Sequence, residues 1–405
     1  MNLRTELLRP RGKRRRRRSG IALLVAMSTV MILTVVVSEL SYTARVRFVI
    51  AAHEKERVQA YWVSQTGINI YKLILSANKQ LESSAGGMGG MASNFGVNIG
   101  DALWQWIPVI NTGLMRMLFA TGGDIDDVSD DVIDEFKSSG KVSDEIEEAS
   151  REESRFSDKN FLDFDGDFTA EVTDEDAKLN LSLLGNTPGT VQESAIGQQL
   201  YGLMSGEEND AWFRDRNIER WDIIANIKDW VDPDSMGSGR AGGQEDSLYN
   251  NRKSPYLAKN APFDTFDEIR LVDGWQDDIM ERFGAQLTIH GSGKVNINTA
   301  PDEVLVALLK AYIVPSPIDA ECFRLVEQIR EYMWFASFQD GKDFARYLTN
   351  QGYTVSDQLD DQIGNSSKTF RVVSTGLVGD TSVSTTAIID YNQSTAGEVT
   401  YWRVD

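Results

Sequence analysis

The sequence predicts an α+β protein in which a long N-terminal helix precedes an antiparallel sheet, and a large, mostly helical domain is inserted between the strands. Three observations support this fold class. A charge-free apolar run continues into an amphipathic helical pattern, β-rich runs occur near residue 165 and after residue 368, and helical periodicity fills the stretch between them. At 405 residues the chain is long enough for two domains with cores of their own.

The first element is an apolar run, residues 21–37, that directly follows a basic segment ending at Gly20. Extended by Leu40 and Tyr42, the run reaches the length of a helix that crosses a hydrocarbon layer ~30 Å thick. Nine of the 41 Lys and Arg residues lie in residues 1–20. The positive-inside rule therefore places the N-terminus in the cytoplasm and the remaining chain outside it.

A cleaved secretory signal peptide is the alternative interpretation of this N-terminus. Two features favour a retained anchor: no small-x-small cleavage site closes the apolar run, and a helical pattern without proline continues to about Asn78. The sequence therefore predicts one helix over residues 21–80, with an apolar stripe beyond the membrane. The stripe consists of Val58, Tyr61, Trp62, Ile68, Tyr71 and Leu75.

Residues 81–155 form a segment of different composition. Residues 83–100 are rich in Gly and Ser and predict a flexible linker. Residues 102–120 are apolar apart from Gln105, Asn111 and Arg116 and predict a packed or partner-binding helix, with a second membrane span as the alternative. Residues 121–157 carry thirteen acidic and four basic side chains, which predicts a solvated loop.

Alternating apolar and acidic residues at 161–172 predict a strand or hairpin with one solvated face. The acidic residues at 163, 165 and 167 do not form a calcium loop of the EF-hand type. Phe168 and Asp174 occupy the positions at which that loop requires Gly and Glu.

Carboxylates cluster at the end of the second of two predicted helices, Val191–Met204 and Asn217–Val231. A Gly-rich loop at residues 237–243 separates them into two groups. Hard cations such as Ca²⁺ prefer several carboxylate oxygens on a supple backbone, so the pattern fits a cation site, and an exposed acidic loop is the alternative. The clustered residues are Asp229, Asp232, Asp234, Glu245 and Asp246.

Residues 294–309 predict a helix that begins after Thr299, whose hydroxyl is suited to cap it. Together with a second helix at 324–332, the stretch is similar to a helix-hairpin-helix DNA-binding module. In such modules a Gly-hydrophobic-Gly hairpin holds phosphate, but residues 311–319 contain no glycine here. Acidic surroundings also remove the counterion-release term of nucleic-acid affinity. The sequence thus predicts the scaffold without DNA binding.

The chain ends in three β-rich runs, residues 369–375, 382–391 and 398–404, which predict antiparallel hairpins.

Composition and isolated reactive residues exclude several classes of function. The net charge of −20 becomes about −28 without residues 1–20, which repels nucleic acid and anionic lipid and suits divalent cations. The single cysteine, Cys322, cannot form an intrachain disulfide. His53 and His290 stand without a Ser, Cys or metal motif, so neither an enzyme nor a zinc site is predicted.

The basic leader, Gly20 and the apolar helix start at Ile21 resemble the N-terminus of a type IV prepilin. The resemblance implies a type IV pilin-like fold, cleavage after Gly20 by prepilin peptidase and methylation of the new N-terminus. Such proteins usually carry Glu at the fifth mature position, where this chain has Val25. A buried charge pair is lost without that carboxylate, which suits a terminal subunit. The pilin-like family that regularly lacks it is the minor pseudopilin K of type II secretion systems.

The acidic cluster and the residues that follow it also resemble this family, through D-W-x-D-x-D, G-x-E-D with Tyr249, Pro255-Tyr256 and the run 268–272. The resemblance implies Ca²⁺ as a cofactor and a second pilin-sheet strand in residues 174–186. The implied principal ligands are Asp232, Asp234, Glu245 and Asp246, with Asp229 in second place and Asn260 and Asp264 as weaker candidates.

The implied function is that of a minor pseudopilin at the tip of the type II secretion pseudopilus, which nucleates assembly with other minor pseudopilins for export across the outer membrane. A single span would hold it in the bacterial inner membrane, with the C-terminal domain in the periplasm. Secreted substrates or the secretin are further expected partners; nucleic acid is not. The alternatives are a DNA-uptake or DNA-binding membrane protein and a tip minor pilin of a type IV pilus.

The predicted order of segments follows from the elements and the resemblance together. It is a leader at 1–20, the N-terminal helix at 21–80, the Gly-rich and acidic insertion at 81–155, the first sheet strands at 156–188, the inserted helical domain at 189–350 and the final strands at 351–405.

Overall fold

The computed structural model describes residues 19–92, 103–119, 165–186, 188–239, 243–250 and 252–405. Two compact units are present, residues 1–59 and residues 60–405. The predictions for most of the leader, for residues 93–102 and for the acidic loop at 121–157 lie outside the described residues.

Helix α1, Ser19–Ala92, begins the described chain and confirms the predicted N-terminal helix. In the first unit its apolar side chains are exposed. Hydroxyl groups in this stretch donate to the preceding turn, as Ser28 Oγ does to Leu24 O at 2.8 Å, so they need no water. Among the described residues, α1 is the one helix long and apolar enough to cross a membrane, with a mean hydropathy of 2.6 in its most apolar window.

The predicted linker is wrong for its first part, because α1 continues through the glycines at 86–90 to Ala92. Each Gly costs about 1 kcal/mol relative to Ala in a helix. A helix that is already formed needs no new nucleation, however, so these residues add only the smaller cost of propagation.

A five-stranded antiparallel sheet forms the second unit's pilin-like part, and the C-terminal half of α1 packs on it. Ile68, Tyr71 and Leu75 of the predicted stripe are buried there, but the prediction is wrong for Val58 and Trp62, which are exposed because the sheet contacts only one side of the helix. The helix lies so close that a Cβ at Gly376 would be 2.1 Å from Ala60 O. The strands, in the spatial order β1-β2-β7-β8-β9, are β1 (Val109–Asn111), β2 (Asp167–Asp174), β7 (Thr369–Val378), β8 (Thr381–Asp390) and β9 (Glu398–Val404).

The sheet is split in sequence, as predicted. Strand β2 alternates exposed and buried residues, and it pairs antiparallel with β7 from Asp167↔Leu377 to Asp174↔Phe370. The chain between these two partners forms the helical insertion. Together with α1, this arrangement confirms the α+β fold with a long N-terminal helix, an antiparallel sheet and a helical domain inserted between the strands.

The prediction of a single helix at 102–120 is wrong, and so is its alternative, a second membrane span. Helix α2 (Leu103–Trp106) ends before Pro108, strand β1 pairs with β2, and helix α3 (Thr112–Phe119) follows. Proline interrupts a helix because it lacks a backbone donor. Ile110 and Leu114 are buried in the core beneath the sheet.

The second pilin-sheet strand expected in residues 174–186 is also absent from this sheet. Strand β3 (Leu179–Asn180) is two residues long and pairs in parallel with β4 (Leu287–Thr288) of the insertion. A 3₁₀ helix, Leu181–Asn186, follows it. The apolar residues of this stretch are buried in the inserted domain's core, so tertiary packing decided its place.

The inserted domain is mostly helical. Its core combines aliphatic and aromatic side chains such as Ile224, Trp275 and Leu305. Two short parallel ladders brace it: β3 with β4, and β5 (Val295–Asn296) with β6 (Ile363–Gly364). The helices are α4 (Ala195–Leu203), α5 (Glu207–Arg216), α6 (Arg220–Val231), α7 (Asp277–Phe283), α8 (Asp302–Tyr312), α9 (Asp319–Met333), α10 (Gly341–Asn350) and α11 (Leu359–Gln362).

Helices α8 and α9 are the predicted helix pair, but Thr299 does not cap α8. The cap position is Pro301, without a side-chain hydrogen bond, and the Thr299 hydroxyl donates to Asp174 Oδ2 instead. A hydrogen bond to a buried carboxylate is charge-assisted and therefore strong, and it holds the Thr299 side chain at Asp174.

Candidate cation site

The acidic cluster lies where α6 ends and the chain folds back. Asp232 adopts extended backbone directly after the helix, with φ −79° and ψ 157°. An antiparallel bridge between Met236 and Gln244 closes the loop. The bridge brings Glu245, the first residue of a 3₁₀ helix, next to the end of α6. The fold-back therefore joins the two carboxylate groups that the sequence separates.

Three of the predicted ligands converge. Oxygens of Asp232, Asp234 and Glu245 all lie within 4.8 Å of one another. The residues Asp232 and Glu245 are only 4% and 2% exposed, whereas Asp234 is exposed. Because Ca²⁺ binds oxygen at 2.3–2.6 Å, two ligand oxygens up to roughly 5 Å apart can share one ion. The spacing therefore suits a single cation.

Several buried oxygens of the cluster accept no hydrogen bond. These are Asp232 Oδ1, both carboxylate oxygens of Glu245, and Oδ1 of Asn260. Leaving a buried polar atom unpaired costs ~1–3 kcal/mol, and more when the group is charged. Buried polar atoms are normally satisfied, so four buried oxygens without a protein donor in one loop region fit a site for a bound cation.

Burial and mutual repulsion raise the pKa of these carboxyl groups. Burial, followed by the negative charges of Asp229, Asp232 and Asp234, raises the pKa of Glu245 to about 7. Burial and the charges of Asp234 and Asp229 raise the pKa of Asp232 to about 6. Burial likewise raises the pKa of Asp229. Near neutral pH a proton and a cation therefore compete for these carboxyl groups.

The other predicted carboxylates are engaged elsewhere. Asp229 is buried and its Oδ1 accepts from Ser238 N at 2.7 Å, which fixes the start of the loop. Asp246 Oδ1 accepts from Ala258 N at 3.0 Å. Asp264 is 86% exposed and pairs with Lys259 Nζ at 2.8 Å. The structure thus separates three converging carboxylates from three that brace or flank the loop.

Asn260 is one of the weaker ligand candidates by sequence, yet it lies within the loop's polar interior. Its Nδ2 donates to the backbone carbonyl of Asp234, which leaves Oδ1 as the orphaned oxygen. Its φ of 49° is left-handed, a conformation that Asn tolerates better than most residues. No sequence spacing links an isolated Asn to carboxylates many residues earlier, so only the fold could show its position.

A cluster of aromatic side chains packs beside the loop. The Trp230 ring packs edge-on against Tyr249, with centroids 5.4 Å apart, and Tyr249 stacks on Tyr256. Trp230 Nε1 donates to Glu268 Oε1 at 3.0 Å, and Lys259 Nζ donates to the other oxygen of Glu268. This network fixes the end of α6, and with it the position of the carboxylates.

The donor set fits a hard divalent cation. It offers carboxylate and amide oxygens and no sulfur or imidazole, which is the ligand preference of Ca²⁺ or Mg²⁺ and not of zinc or copper. Asp232, Asp234 and Glu245 would hold the ion, with Asn260 within the same loop. The bound ion would supply the positive charge that the buried oxygens lack.

Comparison with known families assigns this region. Residues 177–290 match the family model described as type II secretion system (T2SS), protein K. The match covers 114 of the 405 residues. The matched range contains the whole acidic cluster and Asn260, and it confirms the resemblance to the type II secretion minor pseudopilin K.

A solved structure is also similar to this protein. A chain of the crystal structure of the GspK-GspI-GspJ complex from the type II secretion system of enterotoxigenic Escherichia coli is similar to this protein at 19% identity. That similarity covers 60% of this chain and 80% of the other, with a TM-score of 0.46. No curated protein matches the chain.

The predicted processing and assembly residues lie at the start of α1. Gly20, Ile21 and Val25 are helical and exposed. The helix-hairpin-helix element lies in the inserted domain instead. The loop between its helices contains Val314 and Ile318, both exposed. Lys310, a cation beside that loop, pairs with Asp319 at 2.5 Å.

Proposed function

We propose that this protein is the minor pseudopilin at the tip of the type II secretion pseudopilus and that it nucleates the pseudopilus together with other minor pseudopilins. The observation that carries the proposal is the match of residues 177–290 to protein K. That domain is inserted into a sheet on which a long, membrane-compatible helix packs. The product of assembly would be a filament that drives protein export across the outer membrane, with secreted substrates or the secretin as further contacts.

The N-terminal segment would make the protein a single-pass inner-membrane precursor. Prepilin peptidase would cut between Gly20 and Ile21, and the new N-terminus would be methylated. The C-terminal domain would then lie in the periplasm. Mass spectrometry of the protein from membranes tests this step: the expected N-terminal peptide begins at methylated Ile21, and an N-terminus downstream of residue 37 contradicts an anchored prepilin.

Val25 supports a terminal position in the filament. A pilin-like subunit with a carboxylate at this site can pair with the N-terminal amine of a neighbour within the membrane, where unpaired charges are costly. Val25 cannot make that pair. It therefore favours a subunit with no other subunit above it.

Cross-linking in cells that express the complete secretion system tests the tip position. Cysteines introduced along the exposed face of α1, at Val58 or Leu73, should trap other minor pseudopilins on one side only. Capture of the major pseudopilin on both sides would contradict the tip. A Val25→Glu variant should still insert into the membrane, and the same change at Val30 serves as the matched control.

We further propose that protein K binds one Ca²⁺ through Asp232, Asp234 and Glu245, with Asn260 as an additional oxygen donor. Support comes from the converging carboxylates and from the four orphaned buried oxygens. Calorimetric titration of chelator-treated protein with Ca²⁺ should give one site. Failure to bind in the wild type would reject the cation site and would leave the secretion role intact.

A further inference from the structure

The inserted domain joins the sheet at two points that are close together in space. The chain leaves the sheet at Asp174, the end of β2, and returns at Thr369, the start of β7. These strands are neighbours, and Asp174 pairs with Phe370 in their register. Two adjacent crossings by themselves would let the domain rotate about them as a hinge. Away from the crossings, Arg403 Nη1 of β9 pairs with Asp267 Oδ2 of the insertion at 3.3 Å, but both side chains are exposed and such a pair contributes little. The buried contacts near the crossings are therefore the ones that can fix the orientation.

A turn of three acidic residues, Asp174–Asp176, lies at this crossing. All three are buried, at 5%, 0% and 3% exposure. Every one of their six carboxylate oxygens accepts at least one hydrogen bond from the protein. The turn is thus a fully satisfied polar network, which is rigid and costly to break.

Asp174 ties the turn to both the insertion and the returning chain. Its Oδ2 accepts from the hydroxyls of Thr299, in the inserted domain, and Ser367, just before β7. Its Oδ1 accepts from Asp176 N at 2.9 Å, which shapes the turn itself. One carboxylate therefore holds three segments together.

Glu175 connects the same parts through charge. Its Oε1 accepts from Arg371 Nε of β7 at 2.8 Å and from Lys178 Nζ at 2.9 Å. Its Oε2 accepts from the hydroxyl of Thr288 on β4. The residue therefore links the sheet to the first short ladder of the insertion.

Asp176 contacts the insertion with one carboxylate oxygen and the returning chain with the other. Its Oδ1 accepts from the backbone N and the Oγ of Ser292, at 2.9 and 3.2 Å, and its Oδ2 accepts from the backbone N of Lys368 and Thr369, at 2.7 and 2.9 Å. Gly291 makes room for it: φ is 99° there, and a Cβ would lie 2.6 Å from Asp176 Oδ1. The two oxygens thus clamp the insertion and the returning strand.

We propose that the Asp174–Asp176 turn is a lock that holds the inserted protein K domain in one orientation on the pilin-like sheet, so that both move as one rigid body. Its carboxylates contact residues 288–299 of the insertion and residues 367–371 of the returning chain. These contacts prevent the rotation that two chain crossings alone would allow. The proposal does not depend on the position of the protein in a filament or on a bound cation.

Distance measurements between spin labels test the lock in the full-length chain in lipid nanodiscs. In a Cys322→Ser background, labels at Ser382→Cys on β8 and Glu327→Cys on α9 occupy exposed positions on the sheet and the insertion. The parent should give one narrow distance distribution. Asp176→Asn removes the charge and replaces one of the two acceptor oxygens by an NH₂ donor, and we expect the distribution to broaden roughly twofold.

A matched control is Asp302→Asn, which removes a carboxylate that pairs with Arg330 on the surface of the insertion, far in sequence from the turn. It should leave the width unchanged, and equal broadening in this variant overturns the proposal. A folded Asp176→Asn protein with the parent's width also overturns it.

If the Asp176→Asn protein does not unfold cooperatively, milder variants test the lock. Ser292→Ala removes one donor to Asp176, and Thr299→Val removes one donor to Asp174 without changing side-chain shape. Combined, they should broaden the distribution measurably. The parent's width in the folded double variant overturns the lock.

Discussion

Two acidic clusters of the same chain differ in how their carboxylates are satisfied. In the Asp174–Asp176 turn every carboxylate oxygen accepts a hydrogen bond from the protein. In the cluster of Asp232, Asp234 and Glu245, the buried oxygens Asp232 Oδ1 and both oxygens of Glu245 accept none. Burial of a carboxylate therefore says little about function by itself. The presence or absence of protein donors separates a structural joint from a candidate cation site.

The pKa shifts follow the same division, with one instructive exception. Burial by itself would raise the pKa of Glu175, but the positive charges of Lys178 and Arg371 hold this pKa below its ordinary value. At Glu245 the neighbouring charges are negative, and burial together with these charges raises its pKa to about 7. Asp174 is the exception: burial raises its pKa to about 6 although two hydroxyls donate to it. Hydroxyl donors compensate burial less fully than charged ones.

The largest expected effect on stability comes from disrupting the Asp174–Asp176 lock. Asp176→Asn should lower the free energy of unfolding by ~3 kcal/mol, because charge-assisted bonds to two segments are lost and backbone donors are left unpaired. Denaturant titration of the membrane-inserted chain measures this. The loss should be the same with calcium or with chelator; rescue by calcium would erase the distinction between the two clusters.

Calcium binding should raise the free energy of unfolding of the wild type by nearly as much as Asp176→Asn lowers it. At a free concentration about a hundred times Kd, binding to the folded state alone adds about 2.7 kcal/mol. Thermal unfolding with calcium and with chelator gives the difference, and the Asp176→Asn protein should show the same increment. An unchanged melting temperature would mean that the orphaned oxygens do not serve a cation.

Removing one carboxylate of the cation cluster should act in opposite directions with and without the ion. Glu245→Gln relieves repulsion from Asp229, Asp232 and Asp234, so the chelator-treated variant should be more stable than wild type by ~1 kcal/mol. Its calcium affinity should fall at least ~tenfold, since a buried ligand oxygen and a negative charge are lost. A variant that is destabilised without calcium would contradict the repulsive cluster.

The pH dependence of the calcium-free protein should have a defined sign. A carboxyl whose pKa is higher in the folded than in the unfolded state binds its proton more tightly when folded, so stability rises as the pH falls. Glu245 and Asp232 predict this rise as the pH drops through about 7 and about 6. The difference in melting temperature between wild type and Glu245→Gln isolates the effect.

Calcium should reverse this trend, because the ion holds the same carboxylates ionised and protons compete with it. The calcium-induced increase in melting temperature should therefore shrink between pH 7.5 and 5.5. An increment that is constant over this range would place the ion on carboxylates other than Asp232 and Glu245.

The smallest effect is expected at the flanking carboxylates. Asp264→Asn removes an exposed partner of Lys259, which still pairs with Glu268, so stability should change by less than ~0.5 kcal/mol and calcium affinity should not change. Calorimetric titration measures the affinity. A tenfold loss in this variant would extend the ligand set beyond the three converging residues.

The sequence by itself determined the elements whose signals are local. The charge-free run, the stripe that includes Tyr71, the three C-terminal strands and the carboxylates after α6 were all predicted from neighbouring residues. Local signals also misled where long-range packing prevailed. Residues 109–111 became an edge strand because β2 offered unpaired backbone groups, and residues 179–180 joined the insertion instead of the sheet.

Only the tertiary structure decided which carboxylates meet and which are satisfied. Sequence spacing could group Asp232, Asp234, Glu245 and Asp246, but not show that Asp246 accepts from Ala258 N. Asp174 meets Thr299 and Ser367 across more than a hundred residues of chain. The physical reason is that a carboxylate's role depends on the donors around it, and those donors come from segments that only folding brings together.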